Sequence, residues 1–258
     1  MTAVQETWDA LAPAYDQLTG FHDHAAWAEQ VEALARAAGL SGDRLLDAGC
    51  GTGSSTAAMR ARGYDVVGVD VSPAMLERAR ARLGPEVPLL RHDLRSLPRV
   101  GEFDVVWCVS DGLNFLLSEP ELRAALRGFR RNLREGGLAV FDVDTLAAFR
   151  KLYTSLLVVP GPDRIVVFEG RAGADELGPG SVAEASVDAL VPKSWPWWER
   201  VRAIHRQCHH PPVTIEAALA AEGFQLLAVW GTDGAGGSEQ PLDEARHNKA
   251  VYIAEARG

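Results

Sequence analysis

Three observations predict an α/β protein whose mostly parallel sheet is covered by helices on both faces. Up to about residue 150, short apolar runs alternate with stretches of helical spacing. The first of those runs leads into a glycine-rich turn that opens a helix, Asp47-Ala48-Gly49-Cys50-Gly51-Thr52-Gly53-Ser54. Beyond Tyr153 the texture changes to strand-like segments separated by Gly/Pro-rich turns, with no helix between them.

The elements follow in order. The first forty residues read as helices lying over an edge of the sheet. Buried strands are expected at 44–48, 64–70, 86–90, 103–109 and 138–143, and helices at 55–62, 72–83 and 119–133. Ser72-Pro73 supplies an N-cap followed by proline at the first helical position. Residues 164–171, 181–191 and 198–209 read as a three-stranded antiparallel meander. A helix at 214–222, closed by Gly223, then leads into strands at 224–230 and 250–256. The expected division is a main domain of residues 1–153 and 211–258, with lid helices in 1–40, and an antiparallel insertion of residues 154–210.

Composition narrows the class of function. A chain of 258 residues, 47% hydrophobic and 24% charged, can bury a core without staples. Its three cysteines, Cys50, Cys108 and Cys208, form no C-x-x-C pair, which argues against a disulfide scaffold or a zinc module and fits a reducing cytosol. Met1–Leu11 lacks an apolar signal core and no run spans a bilayer, so a soluble, cytoplasmic protein is expected. A net charge of −9 argues against a nucleic-acid partner and favours small-molecule chemistry.

The glycine turn admits a ligand close to the backbone. A dinucleotide fingerprint requires glycine where Ser54 stands, and Asp47 would crowd a pyrophosphate with negative charge, so a ligand bearing a cationic amino group fits better. Asp70 ends the next strand, where a carboxylate can accept from both ribose hydroxyls. Asp93 follows the third strand, placed to accept from an adenine amine. Either acid alone would more often cap a strand end; their order and spacing together point to an adenosyl group joined to an amino acid.

On these residues the chain resembles class I S-adenosylmethionine-dependent methyltransferases of the small-molecule branch, over essentially its whole length. Asp47–Gly53 matches the first motif, Asp70 the ribose acid, Asp93-Leu94 the adenine segment and Phe103–Asn114 the fourth-strand motif. The resemblance implies a Rossmann-like, doubly wound, seven-stranded sheet with an antiparallel last strand, and an insertion that caps the acceptor side. It implies S-adenosylmethionine as cofactor, held by Asp47, Gly49, Gly51, Gly53, Asp70, Val71, Met75, Asp93, Leu94 and Cys108, with Tyr15 covering it.

The acceptor side is less specific. Asp111 and Asn114 follow the fourth strand and can orient a substrate or cap the next turn. His205 and His209 are expected on one face of the third meander strand, with Arg206, Cys208 and His210 on the other. His205, His209 and His210 are candidate bases, and without a third ligand no metal site is expected. Trp195, Trp197 and Trp198 sit at a hairpin tip, where Trp197 is a candidate wall for an aromatic acceptor or part of the insertion's packing. His22 and His24 read as solvated loop residues. A bacterial enzyme methylating an amine nitrogen is preferred, because the insertion resembles that of glycine- and amino-sugar-type N-methyltransferases. O-methylation with a histidine base, and a cofactor-binding protein without turnover, are the alternatives.

Overall fold

The computed structural model describes residues 3–20, 22–162, 164–173, 175–194, 197–233 and 237–257. Helices α1 (Ala3–Leu11), α2 (Tyr15–Leu18) and α3 (His24–Ala37) lead into β1 (Arg44–Ala48). Alternation then follows through α4 (Ser54–Ala61), β2 (Asp65–Asp70), α5 (Pro73–Leu83), β3 (Leu89–Arg91), β4 (Phe103–Cys108), α6 (Glu119–Asn132) and β5 (Leu133–Asp144). Ser72 and Ser118 cap α5 and α6 by accepting from Met75 N and Glu121 N, each with proline in the first helical turn.

The main sheet then closes with α8 (Pro212–Ala221) and two strands, β10 (Phe224–Thr232) and β12 (Lys249–Ala256), joined through the two-residue β11 (Ser238–Glu239). Strand order is β11-β10-β12-β5-β4-β1-β2-β3. The pairs from β5 to β3 are parallel, whereas β12 runs antiparallel to both β5 and β10. The doubly wound sheet with a reversed last strand is therefore as expected, extended to eight strands by β11. Alternation along β4 divides the core. Val105 and Trp107 pack with α3 and α4 through Trp27, Val31 and Met59, while Val106 and Cys108 pack with α6 through Leu122, Leu126 and Phe129.

Between α7 (Leu146–Tyr153) and α8 lies a second, antiparallel sheet of β6 (Leu156–Pro160), β7 (Ile165–Gly170), β8 (Val182–Ser194) and β9 (Trp197–Cys208). It has four strands rather than three, because β6 pairs with β7 at its edge. Its inner face, including Phe168, Ala185, Val187 and Ala203, packs on Leu11, Ala14, Phe149 and Tyr153. The chain leaves β1 towards β2 and β3 and returns to β4 on the other side, so the crevice at the switch point opens over the carboxyl ends of these strands. The second sheet and the N-terminal helices border that crevice. Among the described residues no helix is long and apolar enough to cross a membrane.

Candidate active site

A cavity of about 350 Å³ lies over the carboxyl edge of the main sheet. The turn after β1 contributes Gly49, Cys50, Gly51 and Thr52; β2 contributes Asp70 with Val71, and Met75 follows on α5. His92, Asp93 and Leu94 arrive from β3, Ser110 and Asp111 from β4, and Asp144 from β5. Successive parallel strands thus deliver polar groups to a single edge.

Asp70 organises the first half. Its Oδ2 accepts from Gly51 N at 3.0 Å and its Oδ1 from Ser72 N at 2.8 Å, which fixes the glycine turn to the start of α5. Burial raises its carboxyl to about 6, and these backbone donors hold it from rising further. Gly49 and Gly51 have φ of +85° and +53°. A Cβ at Gly51 would stand 3.9 Å from Tyr15 Cε1, in the space between turn and lid. Asp16 accepts from Thr52 Oγ1 at 2.6 Å and pairs with Arg82 at 2.8 Å, and Asp9 accepts from Ser72 Oγ at 2.6 Å, so α1 and α2 are latched over the turn. A buried acid, a glycine cradle under an aromatic lid, and the apolar Val71, Met75 and Leu94 fit an adenosyl amino acid.

Several expected contacts take other roles. Asp47 accepts from Thr56 Oγ1 at 2.6 Å beneath the turn and does not line the cavity. Gly53 faces α5, where a Cβ would approach Leu83 Cδ1 to 2.9 Å; glycine is needed there for helix packing. Cys108 is enclosed in the α6 side of the core, because strand alternation turns Val109 rather than Cys108 towards the cavity. Asp93 does line the cavity, yet it already accepts from Arg95 N, Nε and Nη2. Burial alone would raise its carboxyl, but the Arg95 contacts override that and hold it low.

Burial lifts Asp47 to about 7, with the charge of Asp70 adding to the rise and the Thr56 hydrogen bond opposing it. The folded state then keeps a proton that the unfolded chain releases near pH 4, so stability falls as pH rises from about 4 to 7. Asp47→Asn should flatten that slope and raise the melting temperature of the cofactor-free protein at pH 8. Melts at pH 5 and pH 8 check this; an unchanged gap between them would refute it.

The second half is built around an ammonium that sequence reading missed. Lys249, the first residue of β12, lies opposite Asp144, the last of β5. Its Nζ is 2.7 Å from Asp111, 2.9 Å from Asp144 and 3.4 Å from Asp142. These carboxylates outweigh its burial and hold it protonated. Asp142 also accepts from Trp27 Nε1 (2.8 Å), Ser110 N (2.8 Å) and Asp111 N (2.7 Å). It thereby stabilises two consecutive left-handed residues, Ser110 at φ 64° and Asp111 at φ 56°. Asp111 is committed on both oxygens, to Lys249 and to Gln207 Nε2 at 2.6 Å. Asp144 has its second oxygen without a partner among the described residues, and burial raises its carboxyl while Lys249 opposes the rise. Two signals were available: acids at alternate positions where an apolar run ends, Asp142 and Asp144, and one of only three lysines in the chain.

The remaining acceptor candidates separate. Asn114 is buried outside the cavity; its Nδ2 donates to Cys208 O (2.9 Å) and its Oδ1 accepts from Asp144 N (3.0 Å), joining the two sheets. β9 ends at Cys208, so the alternation does not reach His209 and His210. His209 pairs with Glu244 at 2.7 Å and His210 with Leu116 O at 2.8 Å, and neither histidine lines the cavity. Trp197 is 70% exposed at the hairpin tip, with Trp198 beside it also exposed, and neither lines the cavity; Trp195 lies outside the described residues. His205 does line it, and so do His22 and His24, which are therefore not solvated loop residues; burial lowers the pKa of all three.

A family described as a methyltransferase domain matches residues 45–137, which span the strands and turns that carry the first half of the cavity. The demethylmenaquinone methyltransferase of Clavibacter sepedonicus is 31% identical over 201 residues, 74% of this chain and 79% of its own. The solved sugar N-methyltransferase KedS8 from Streptoalloteichus is 25% identical, with a TM-score of 0.75 over 95% of this chain and 93% of its own. An amino pentose methyltransferase from Micromonospora echinaspora, solved with S-adenosylmethionine bound, is 25% identical, with a TM-score of 0.68 over 94% of both chains. With the strand order, the glycine turn and the acid of β2 in the same chain, the protein belongs to the class I S-adenosylmethionine-dependent methyltransferases, and S-adenosylmethionine is its cofactor.

Proposed function

We propose that the protein methylates an amine nitrogen of a small-molecule acceptor. The observation that carries this reading is the charge of the acceptor end: three carboxylates, Asp111, Asp142 and Asp144, face one ammonium, and among the described residues Asp144 keeps an oxygen free. Such a site attracts a cation and suits both a sulfonium and a protonated amine. The likeness to a sugar N-methyltransferase points the same way. In this reading Asp70 holds the ribose hydroxyls, Val71, Met75 and Leu94 pack the adenine, and the turn of Gly49 and Gly51 receives the amino-acid portion.

Bound S-adenosylmethionine supplies an activated methyl group. The free oxygen of Asp144 binds the acceptor ammonium and, with its raised proton affinity, takes the proton that frees the lone pair. The new C–N bond forms as the S–C bond breaks, and the protein's part is alignment, worth about 7–11 kcal/mol in well-oriented systems. A phenol would need a base near neutrality, and His205 is pushed by burial down to about 4, too weak for that task.

Release of S-adenosylhomocysteine from a library of amines and phenols tests the proposal. Amines should turn over, and Asp144→Asn should lower kcat/KM for them by about 100-fold while S-adenosylhomocysteine affinity is kept. Wild-type kcat/KM should fall with acid as Asp144 protonates. Turnover of phenols alone, or full activity in Asp144→Asn, would overturn the nitrogen reading.

A further inference from the structure

His205 stands on β9 within a box of aromatic rings. Its ring centroid is 4.8 Å from Phe115, 5.7 Å from Trp8 and Phe168, and 6.4 Å from Tyr153. The residue is 8% exposed, and neither Nδ1 nor Nε2 has a hydrogen-bond partner among the described residues. Buried imidazole nitrogens ordinarily find partners, since an unmade hydrogen bond in an apolar surrounding is costly. The ring borders the cavity beside Leu152, Leu157 and Phe168 with both nitrogens covered, so a turn of the imidazole is what brings a nitrogen to that opening. Ala185, directly across on β8, brings no polar group.

We propose that His205 is a specificity-determining residue that hydrogen-bonds a hydroxyl on the otherwise apolar ring or chain of the acceptor. A hydroxyl both donates and accepts, so it satisfies either nitrogen of a neutral imidazole, whichever tautomer is present. The ring stays neutral across the physiological range, because burial depresses its proton affinity. Aromatic and aliphatic walls accommodate the acceptor body, and the hydroxyl is selected against a hydrogen because its absence leaves the imidazole unpaired. The inference builds on the amine reading but reads a different group of the acceptor.

Three probes separate the two: trans-4-aminocyclohexanol, cyclohexylamine and cyclohexanol, each titrated calorimetrically into protein saturated with S-adenosylhomocysteine. The amine reading is judged by aminocyclohexanol against cyclohexanol. His205 is judged by aminocyclohexanol against cyclohexylamine, with an expected preference of about tenfold for the hydroxyl. His205→Phe should abolish that preference and weaken cyclohexanol, leaving cyclohexylamine and S-adenosylhomocysteine affinities unchanged. His205→Gln, whose amide can donate and accept, should retain it. A hydroxyl preference that survives in His205→Phe, equal binding of aminocyclohexanol and cyclohexylamine by the wild type, or no binding of any probe to its solubility limit would overturn the inference.

Discussion

Asp142→Ala should lower kcat/KM by more than about 100-fold and the melting temperature by roughly 6–15 °C. Four donors converge on this one buried carboxylate: the Trp27 indole, the amides of Ser110 and Asp111, and the Lys249 ammonium. Removing one partner of a buried charged cluster costs about 3–5 kcal/mol, which in a protein of this size corresponds to that shift in midpoint. The left-handed pair Ser110 and Asp111 then loses the acceptor that offsets its strain, and Asp111 no longer meets Lys249 in the cavity. Asp142→Asn, which keeps one accepting oxygen, should fall between the two. Melts and steady-state rates of both variants decide the matter; a wild-type midpoint in Asp142→Ala would mean that the turn is held by something else.

Asp70→Ala should weaken S-adenosylhomocysteine by about 100-fold or more, since hydrogen bonds to a charged group contribute about 1.5–3 kcal/mol each and a ribose offers two hydroxyls. The cofactor-free protein should also melt earlier, because Gly51 N and Ser72 N lose their acceptor. The pH dependence has a definite sign. With its carboxyl raised to about 6, Asp70 is ionised at neutral pH and protonated below 6, so wild-type affinity should fall on acidification through that range. Calorimetry at pH 5 and pH 8 on wild type and variant checks both points. Unchanged affinity in a folded Asp70→Ala protein would remove Asp70 as the ribose ligand.

The elements that the sequence disclosed most clearly are those whose pattern is local. Apolar runs for β1, β2 and β4, the Ser72-Pro73 start of α5 and the spacing of Leu122, Ala125, Leu126 and Phe129 on α6 reflect burial and capping within a dozen residues. Besides the two-residue β11, two elements escaped. Helix α7 carried a legible signal, since Thr145 caps it by accepting from Ala148 N and Phe149 and Tyr153 share a face. Strand β6 did not: Leu156 and Val158 are exposed at an edge, so the alternation that marks a half-buried strand is weak there. The positions of Asp70, Gly49, Gly51 and Tyr15 at the cavity were legible because a turn and the strand ends beside it are fixed by the chain's own order. His209, His210 and Trp197 misled because strand alternation was carried beyond Cys208 and because a hairpin tip can point into solvent.

From order and spacing alone follow the parallel sheet and a cofactor edge where its strands end, since parallel strands joined by helices must all end on the same side. The acceptor end required the folded chain. Lys249 and Asp144 are 105 residues apart and meet because β12 runs antiparallel to β5, which places the first residue of one beside the last of the other. The pairing of Asp111 with Lys249 and Gln207, and the aromatic enclosure of His205, arise where the second sheet and the N-terminal helices close over that edge. These contacts have no local pattern: burial creates each need for a partner, and only the packing of distant strands decides which residue supplies it.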